Sequence, residues 1–266
     1  MIEILKSILF GIVQGITEWL PVSSTGHMLL LDEFMTLDVG ANCRELFFVL
    51  VQLGSVLAVI VLFFNELWPS SRKKWTLWLK IAIASIPAGV LGLLFEDYIT
   101  EKLYGTVTIC IALIVYGVLF VVIERVKQKK GTKHKVNSID DISFFKAFQM
   151  GCFQALALIP GTSRSGSTIL GGMLCSVSRP VAAKFSFFMA IPIMVGTSGY
   201  KLLKCGFAYN ALEIWVLAAG TVTAFLVSLL VIKGLMSFVR SHSFEVFGWY
   251  RIALSIVVLI VWLLNR

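Results

Sequence analysis

The chain has 266 residues, 58% of them hydrophobic and only 14% charged, whereas a soluble domain carries about 25% charged residues. With a mean hydropathy of +0.89, this excludes a water-soluble globule and implies a multi-pass membrane protein. The formal net charge of +8 does not point to nucleic acid, because the basic residues sit in two short loops beside apolar runs, as the positive-inside bias places them.

A bilayer span takes roughly 20 apolar residues. Residues 2–20 and 24–35 are two pieces split at Pro21, and the second is too short to cross comfortably. The first run holds Gln14 and Glu18 and has no small-residue cleavage site after it, so it does not read as a removable signal peptide. Spans are predicted at 45–64, 76–95 and 105–124, followed by a basic loop, 125–143, with Lys127, Lys129, Lys130, Lys133 and Lys135. Residues 144–159 and 163–176 are again two pieces, split at Pro160-Gly161, and further spans are predicted at 182–200, 211–232 and 249–264. Pro87 and Pro192 read as kinks, Lys80 as snorkelling to the interface, and Asp140 or Asp141 as the cap of the helix that follows. Gln52 faces either a cavity or a neighbouring helix. His134 and His242 read as solvated. Cys43, Cys110, Cys152, Cys175 and Cys205 form no CxxC pair, so neither a disulfide nor a metal cluster is expected.

The second half therefore repeats the first. Shifting the chain by 140 residues sets Gly11 on Gly151, Gln14 on Gln154, Ser23 on Ser163, Thr25 on Ser165 and Gly26 on Gly166; Phe47 meets Phe185 at a slightly different offset. Basic loops (Arg72-Lys73-Lys74 and 125–143) belong inside. Acidic loops (Asp32, Glu33 and Asp38; Glu96, Asp97 and Glu101) belong outside. Each broken piece then starts and ends on one face. The expected architecture is all-α: residues 1–124 form one repeat, with a re-entrant hairpin at 2–35 and three spans. After the loop at 125–143, residues 144–266 form the second, inverted repeat, with a hairpin at 144–176 and three spans. Lys201 and Lys204 fall outside, against the charge rule. Non-helical backbone at membrane depth is tolerated only inside protein or beside water, so the two tips should meet in one site.

The first tip carries the chemistry of a buried acid. Gln14 and Glu18, four residues apart, share a helix face. Pro21 should break that helix near Leu20. Ser23, Ser24 or Thr25 then caps a second helix whose first turn presents His27. Glu18 can hold a divalent cation or act as a base, Ser24 can be a nucleophile, and His27 can shuttle a proton or attack phosphorus itself. The second tip, residues 160–168, offers glycines, hydroxyls and Arg164 at a helix start, an arrangement that favours phosphate. The competing reading of Arg164 is snorkelling to the headgroups. Gln14, Ser23, Thr25 and Gly26 on one tip, and Gly161, Thr162, Ser163, Ser165 and Thr168 on the other, are candidate substrate contacts. The residues indicate an intramembrane phosphate-handling site and leave hydrolysis and transport open.

The stretches QGITEWLPVSSTGH and PGTSRSGST together resemble the bacterial undecaprenyl-diphosphatase family, also called bacitracin-resistance proteins, over essentially the whole chain. The resemblance implies hydrolysis of undecaprenyl diphosphate to undecaprenyl phosphate, which recycles the lipid carrier of cell-wall synthesis and confers bacitracin resistance. It also implies a site open to the outer face of the cell membrane, assistance by Mg²⁺ or Ca²⁺, and essential roles for Glu18, Ser24, His27 and Arg164. Gln14 stands where other members carry Glu, which puts a two-carboxylate mechanism in doubt. A homodimer is compatible with this reading. The rival reading is a transporter or flippase for a phosphorylated polyprenyl lipid. The other large class of lipid phosphatases is excluded, because the residue six after Ser163-Arg164 is Leu170 and not histidine.

Overall fold

Apolar runs fold as helix along this chain because backbone without water must satisfy its own N–H and C=O groups. The computed structural model describes residues 1–130, 135–206 and 208–264, with Glu96, Asp97, Thr100 and Lys130 by backbone only. The expectations for Glu96, Asp97, Lys130, Lys133 and His134 lie outside the described residues. The helices are α1 (Ile2–Thr17), α2 (Ser24–Phe34), α3 (Ala41–Leu62), the single turn α4 (Phe64–Leu67), α5 (Arg72–Leu103), α6 (Thr106–Lys130), α7 (Phe144–Leu156), α8 (Arg164–Leu174), α9 (Arg179–Cys205), α10 (Ala211–Ser241) and α11 (Glu245–Leu264). Among the described residues there is no strand, only an isolated bridge between Val136 and Val177. Among the described residues six helices, α3, α5, α6, α9, α10 and α11, are long and apolar enough to cross a membrane.

Several boundaries differ from the hydropathy reading. The spans α5 and α10 run on to Leu103 and Ser241, because a helix continues through polar ends where hydropathy drops. Conversely, α1 stops at Thr17 rather than near Leu20. Neither Asp140 nor Asp141 caps α7; Ser143 does, its Oγ accepting from Lys146 N at 3.2 Å. Lys80 does not snorkel. It is 6% exposed and donates to Asp140 O at 2.8 Å, tying α5 to the segment before α7.

Helix α9 lies at the centre, packed by α3, α5, α8 and α10. Phe185, Phe187, Phe188, Met189 and Ala190 are all fully buried, and a helix apolar all round belongs inside. Around it α1 lies on α10, α7 on α5, and α6 on α11. Two glycines allow the first two crossings. A Cβ on Gly11 would sit 2.5 Å from Gly220 O, and one on Gly151 would collide with Ala84 O. Positive side chains close the C-terminal end of α8: Lys127 and Lys146 donate to the carbonyls of Met173 and Cys175, where a helix C-terminus favours cations. At the opposite end of the molecule Glu3 binds Lys6 and the Asp38 N–H, Arg44 pairs with Asp32, and Lys201 pairs with Glu45.

Candidate active site

The two tips meet as the sequence suggests, through an ion pair and shared backbone. One turn of α1 brings Gln14 Nε2 within 2.8 Å of Glu18 Oε2. Both residues are buried, at 1% and 4% exposure. After Thr17 the chain turns through Pro21 and restarts at Ser23, whose Oγ caps α2 by accepting from Gly26 N. Ser163 does the same for α8 with Gly166 N. Both serines adopt a left-handed φ, 73° and 70°, which is uncommon for a residue with a side chain and tends to cluster at functional sites.

Glu18 is the hub. Its Oε2 also accepts from Ser24 Oγ at 3.0 Å, and its Oε1 accepts from Arg164 Nη2 at 2.9 Å. Arg164 reaches 12% side-chain exposure, donates to Ser186 O at 2.9 Å and lies 5.3 Å over the Trp19 ring. The snorkelling alternative therefore falls: this guanidinium points inward. The Ser165 hydroxyl lies between Glu18 O and Leu20 O, 3.1 Å from each, so the second tip stitches directly to the first.

Beside Gln14, Ser24 and Thr25 opens a cavity of about 470 Å³, whose wall includes Gln52, Met28, Leu29 and Phe48 on one side and Asp32, Arg44 and Tyr104 at its other end. Gln52 thus faces the cavity rather than a neighbouring helix. His27 is not part of that wall. It projects from the other side of α2, with Nδ1 2.8 Å from Ser23 O and Nε2 2.7 Å from Tyr250 OH. A carbonyl can only accept, so Nδ1 carries the proton and the neutral ring accepts the Tyr250 hydroxyl at Nε2. Thr168 is fully buried and bonds Arg164 O and Ser186 Oγ. Gly161 and Thr162 present their carbonyls to Arg251, and Ser163 is spent on capping. In this state the second tip is organised around its own backbone.

Sequence reasoning missed Arg251 and Tyr250 on α11, and Ser186 on α9. Arg251 is fully buried. Its guanidinium donates to Pro21 O at 3.2 Å, Gly161 O at 2.9 Å and Thr162 O at 3.0 Å, with Ala112 O at 3.5 Å. One side chain thus fixes the breaks of both hairpins. The signal available was an arginine inside the apolar run 249–264. Ser186 had none.

A family model described as "Bacitracin resistance protein BacA" matches residues 7–257. The chain belongs to this family. Among its relatives, an undecaprenyl-diphosphatase of Enterococcus faecalis is 51% identical over 98% of this chain and 97% of its own. Undecaprenyl-diphosphatases of Desulfitobacterium hafniense and Lachnoclostridium phytofermentans are each 49% identical, over 98% and 100% of this chain and 96% and 99% of their own.

For a member of the BacA family the donor set available to a divalent cation matters. Among the described residues no three His, Cys, Asp or Glu side chains converge, so there is no all-protein cage. The Glu18 carboxylate and Ser24 hydroxyl, with the Gln14 amide beside them, nevertheless gather oxygen donors next to the cavity that Gln14 and Ser24 line. That suits a hard cation which completes its shell with substrate phosphate oxygens.

Proposed function

We propose that this chain hydrolyses undecaprenyl diphosphate to undecaprenyl phosphate and inorganic phosphate, the reaction for which its relatives are named. The observation that carries this reading is the Glu18 carboxylate, shared between the Arg164 guanidinium and the hydroxyl of Ser24, which itself lines a half-apolar cavity. The diphosphate enters along Ser24 and Thr25, with its lipid against Met28, Leu29 and Phe48. Glu18 takes the Ser24 proton as Oγ bonds the terminal phosphorus; the anhydride P–O bond breaks and undecaprenyl phosphate leaves. Protonation removes the charge that holds Arg164, so the guanidinium turns to the phosphoryl oxygens as their charge develops. Water then attacks the phosphoserine: the Ser24 Oγ–P bond breaks, Glu18 gives its proton back to Oγ across the same contact, and both water protons leave with the released phosphate. A Mg²⁺ or Ca²⁺ held by Glu18, Ser24 and Gln14 Oε1 would supply neutralisation of the diphosphate charge. Ser24 is favoured over His27 as nucleophile, because Ser24 faces the cavity beside a base while both His27 nitrogens are engaged elsewhere. Gln14, being neutral, orients Glu18 and does not act as a second carboxylate.

The proposed architecture is an inverted repeat, 1–124 and 144–266, joined by a cytoplasmic loop at 125–143, with α1–α2 and α7–α8 as re-entrant hairpins. Support comes from the matched Ser23 and Ser163 caps, from Gly11 and Gly151 at matched crossings, and from the contacts that bring each hairpin's two ends together. The cavity mouth at Asp32, Arg44 and Tyr104 lies by the connections assigned outside by their acidic residues, which favours a site open to the outer face of the bacterial inner membrane. All site residues come from one chain, so the reading requires no homodimer.

The test is phosphate release from undecaprenyl diphosphate by the purified chain in detergent, with and without a chelator. Release that falls when divalent cations are removed is expected. No release at all would overturn hydrolysis in favour of a carrier for the lipid, since detergent has no compartments to transport between. Cysteines placed in 125–143 should label only from the cytoplasm, and cysteines near Asp38 only from outside. Labelling of both from one side would overturn the inverted repeat.

A further inference from the structure

Among the described residues Arg44 is the one cationic side chain in the cavity wall, and it lies at the mouth, on the first turn of α3. It is held there by Asp32, the last wall residue of α2, through Nη2 and Oδ2 alone. The second carboxylate oxygen, Asp32 Oδ1, is buried with no hydrogen-bond partner among the described residues. This is therefore a one-pronged contact and not a bidentate fork. Its partners are 36% and 25% exposed, a degree of solvation at which ion pairs contribute little net free energy. A phosphate group offers a guanidinium two parallel acceptors and more charge than one carboxylate oxygen. The other arginine of the site, Arg164, lies behind Glu18, outside the wall, and is occupied by Glu18 and Ser186.

We propose that Arg44 is a substrate-capturing residue: it leaves Asp32 to grip the incoming diphosphate at the cavity mouth, and Asp32 takes it back when the phosphate leaves. Asp32 then acts as a competitor that keeps capture reversible. This rests on the reading that a diphosphate enters this cavity. It commits that reading to a polarity. The anion meets Arg44 first and Arg164 only after Glu18 has accepted a proton.

The two partners then have opposite effects, which a mere tie between α2 and α3 would not show. Arg44→Ala should raise KM roughly 10- to 100-fold, the worth of a hydrogen-bonded charge, with kcat largely retained because the lost contact is present in ground and transition states alike. Arg44→Lys should fall between it and wild type. Asp32→Asn should lower KM, by up to roughly fivefold for a pair of this exposure. The experiment measures KM and kcat for undecaprenyl diphosphate in detergent for wild type and the three variants, with gel filtration reporting folding. Should Arg44→Ala not fold, Arg44→Lys and Asp32→Asn decide. An unchanged KM in Arg44→Ala, or a parallel loss of kcat in both Arg44→Ala and Asp32→Asn, overturns the proposal while hydrolysis by wild type stands. If wild type releases no phosphate, the same ordering is read as Kd for farnesyl diphosphate by calorimetry. Equal affinity across the variants, or no binding by wild type, overturns it there.

Discussion

The Glu18–Arg164 pair joins the two hairpin tips, and its removal should reveal how much of the fold depends on that joint. The charged atoms are 2.9 Å apart, with side chains 4% and 12% exposed. Breaking such a pair from one side leaves the other charge buried and uncompensated, at a cost of about 3–5 kcal/mol. Glu18→Gln cannot restore the lost charge by rotation. With its oxygen toward Arg164 the new amide keeps its hydrogen bonds, because the Ser24 hydroxyl and a flipped Gln14 amide can accept its N–H groups, but it carries no charge to compensate the buried guanidinium. Arg164→Gln leaves the carboxylate with hydroxyl and amide partners only. Removing both charges together removes the uncompensated charge as well, so the double variant should lose no more than one single variant. For a chain of this size 1 kcal/mol corresponds to roughly 2–4 °C of Tm. Each single substitution should therefore lower Tm by about 10 °C, and the pair by about 10 °C rather than 20 °C. Tryptophan fluorescence during heating in detergent reads this directly, since Trp19 lies under the Arg164 guanidinium. Additive losses, or single variants within a degree or two of wild type, would refute the argument that the tips are held by charge.

Arg251→Lys should lower both stability and kcat, because a single ammonium cannot span the Pro21 and Gly161–Thr162 carbonyls; each orphaned carbonyl costs about 1–3 kcal/mol, measured as Tm beside turnover. Ser24→Ala should abolish phosphate release, whereas His27→Asn should keep measurable turnover. Rapid-quench labelling should trap acid-stable phosphate on Ser24, and an acid-labile label on His27 would reverse the assignment. Gly11→Ala and Gly151→Ala should each destabilise by about 1–3 kcal/mol through overpacking at the α1–α10 and α7–α5 crossings; a silent change at either would show that those crossings can give way.

What the sequence disclosed was local. Gln14 and Glu18 are one helical turn apart, so their hydrogen bond follows from periodicity. The serine caps follow from a break placed just before a hydroxyl. The meeting of the two tips was legible because broken, polar helix ends between apolar runs must find protein partners. The form of that meeting was not: Glu18 was expected as a metal ligand or base and Arg164 as a phosphate grip, with no contact foreseen between them, and here they face each other. His27 was expected with Ser24, yet three residues on a helix set it on the other side, toward Tyr250. Arg251 stayed hidden because hydropathy averages over the span 249–264, and one charge in an apolar run shows no partners until the tertiary structure brings carbonyls to it. Lys80 was misread for the same reason, its acceptor lying sixty residues away.

The position of Arg251 in the chain carries a consequence for biosynthesis. The carboxylate of the site is made at residue 18, the guanidinium that faces it at residue 164, and the side chain that fixes both breaks at residue 251, within the last helix. At roughly 5–20 residues per second, the interval from the first to the last takes on the order of ten to fifty seconds. Throughout that interval the nascent chain holds an unpaired acid, and then an incompletely clamped pair, in the membrane. The site therefore cannot work piecemeal on the ribosome, and any product cut short before α11 leaves the Pro21, Gly161 and Thr162 carbonyls without the guanidinium that holds them.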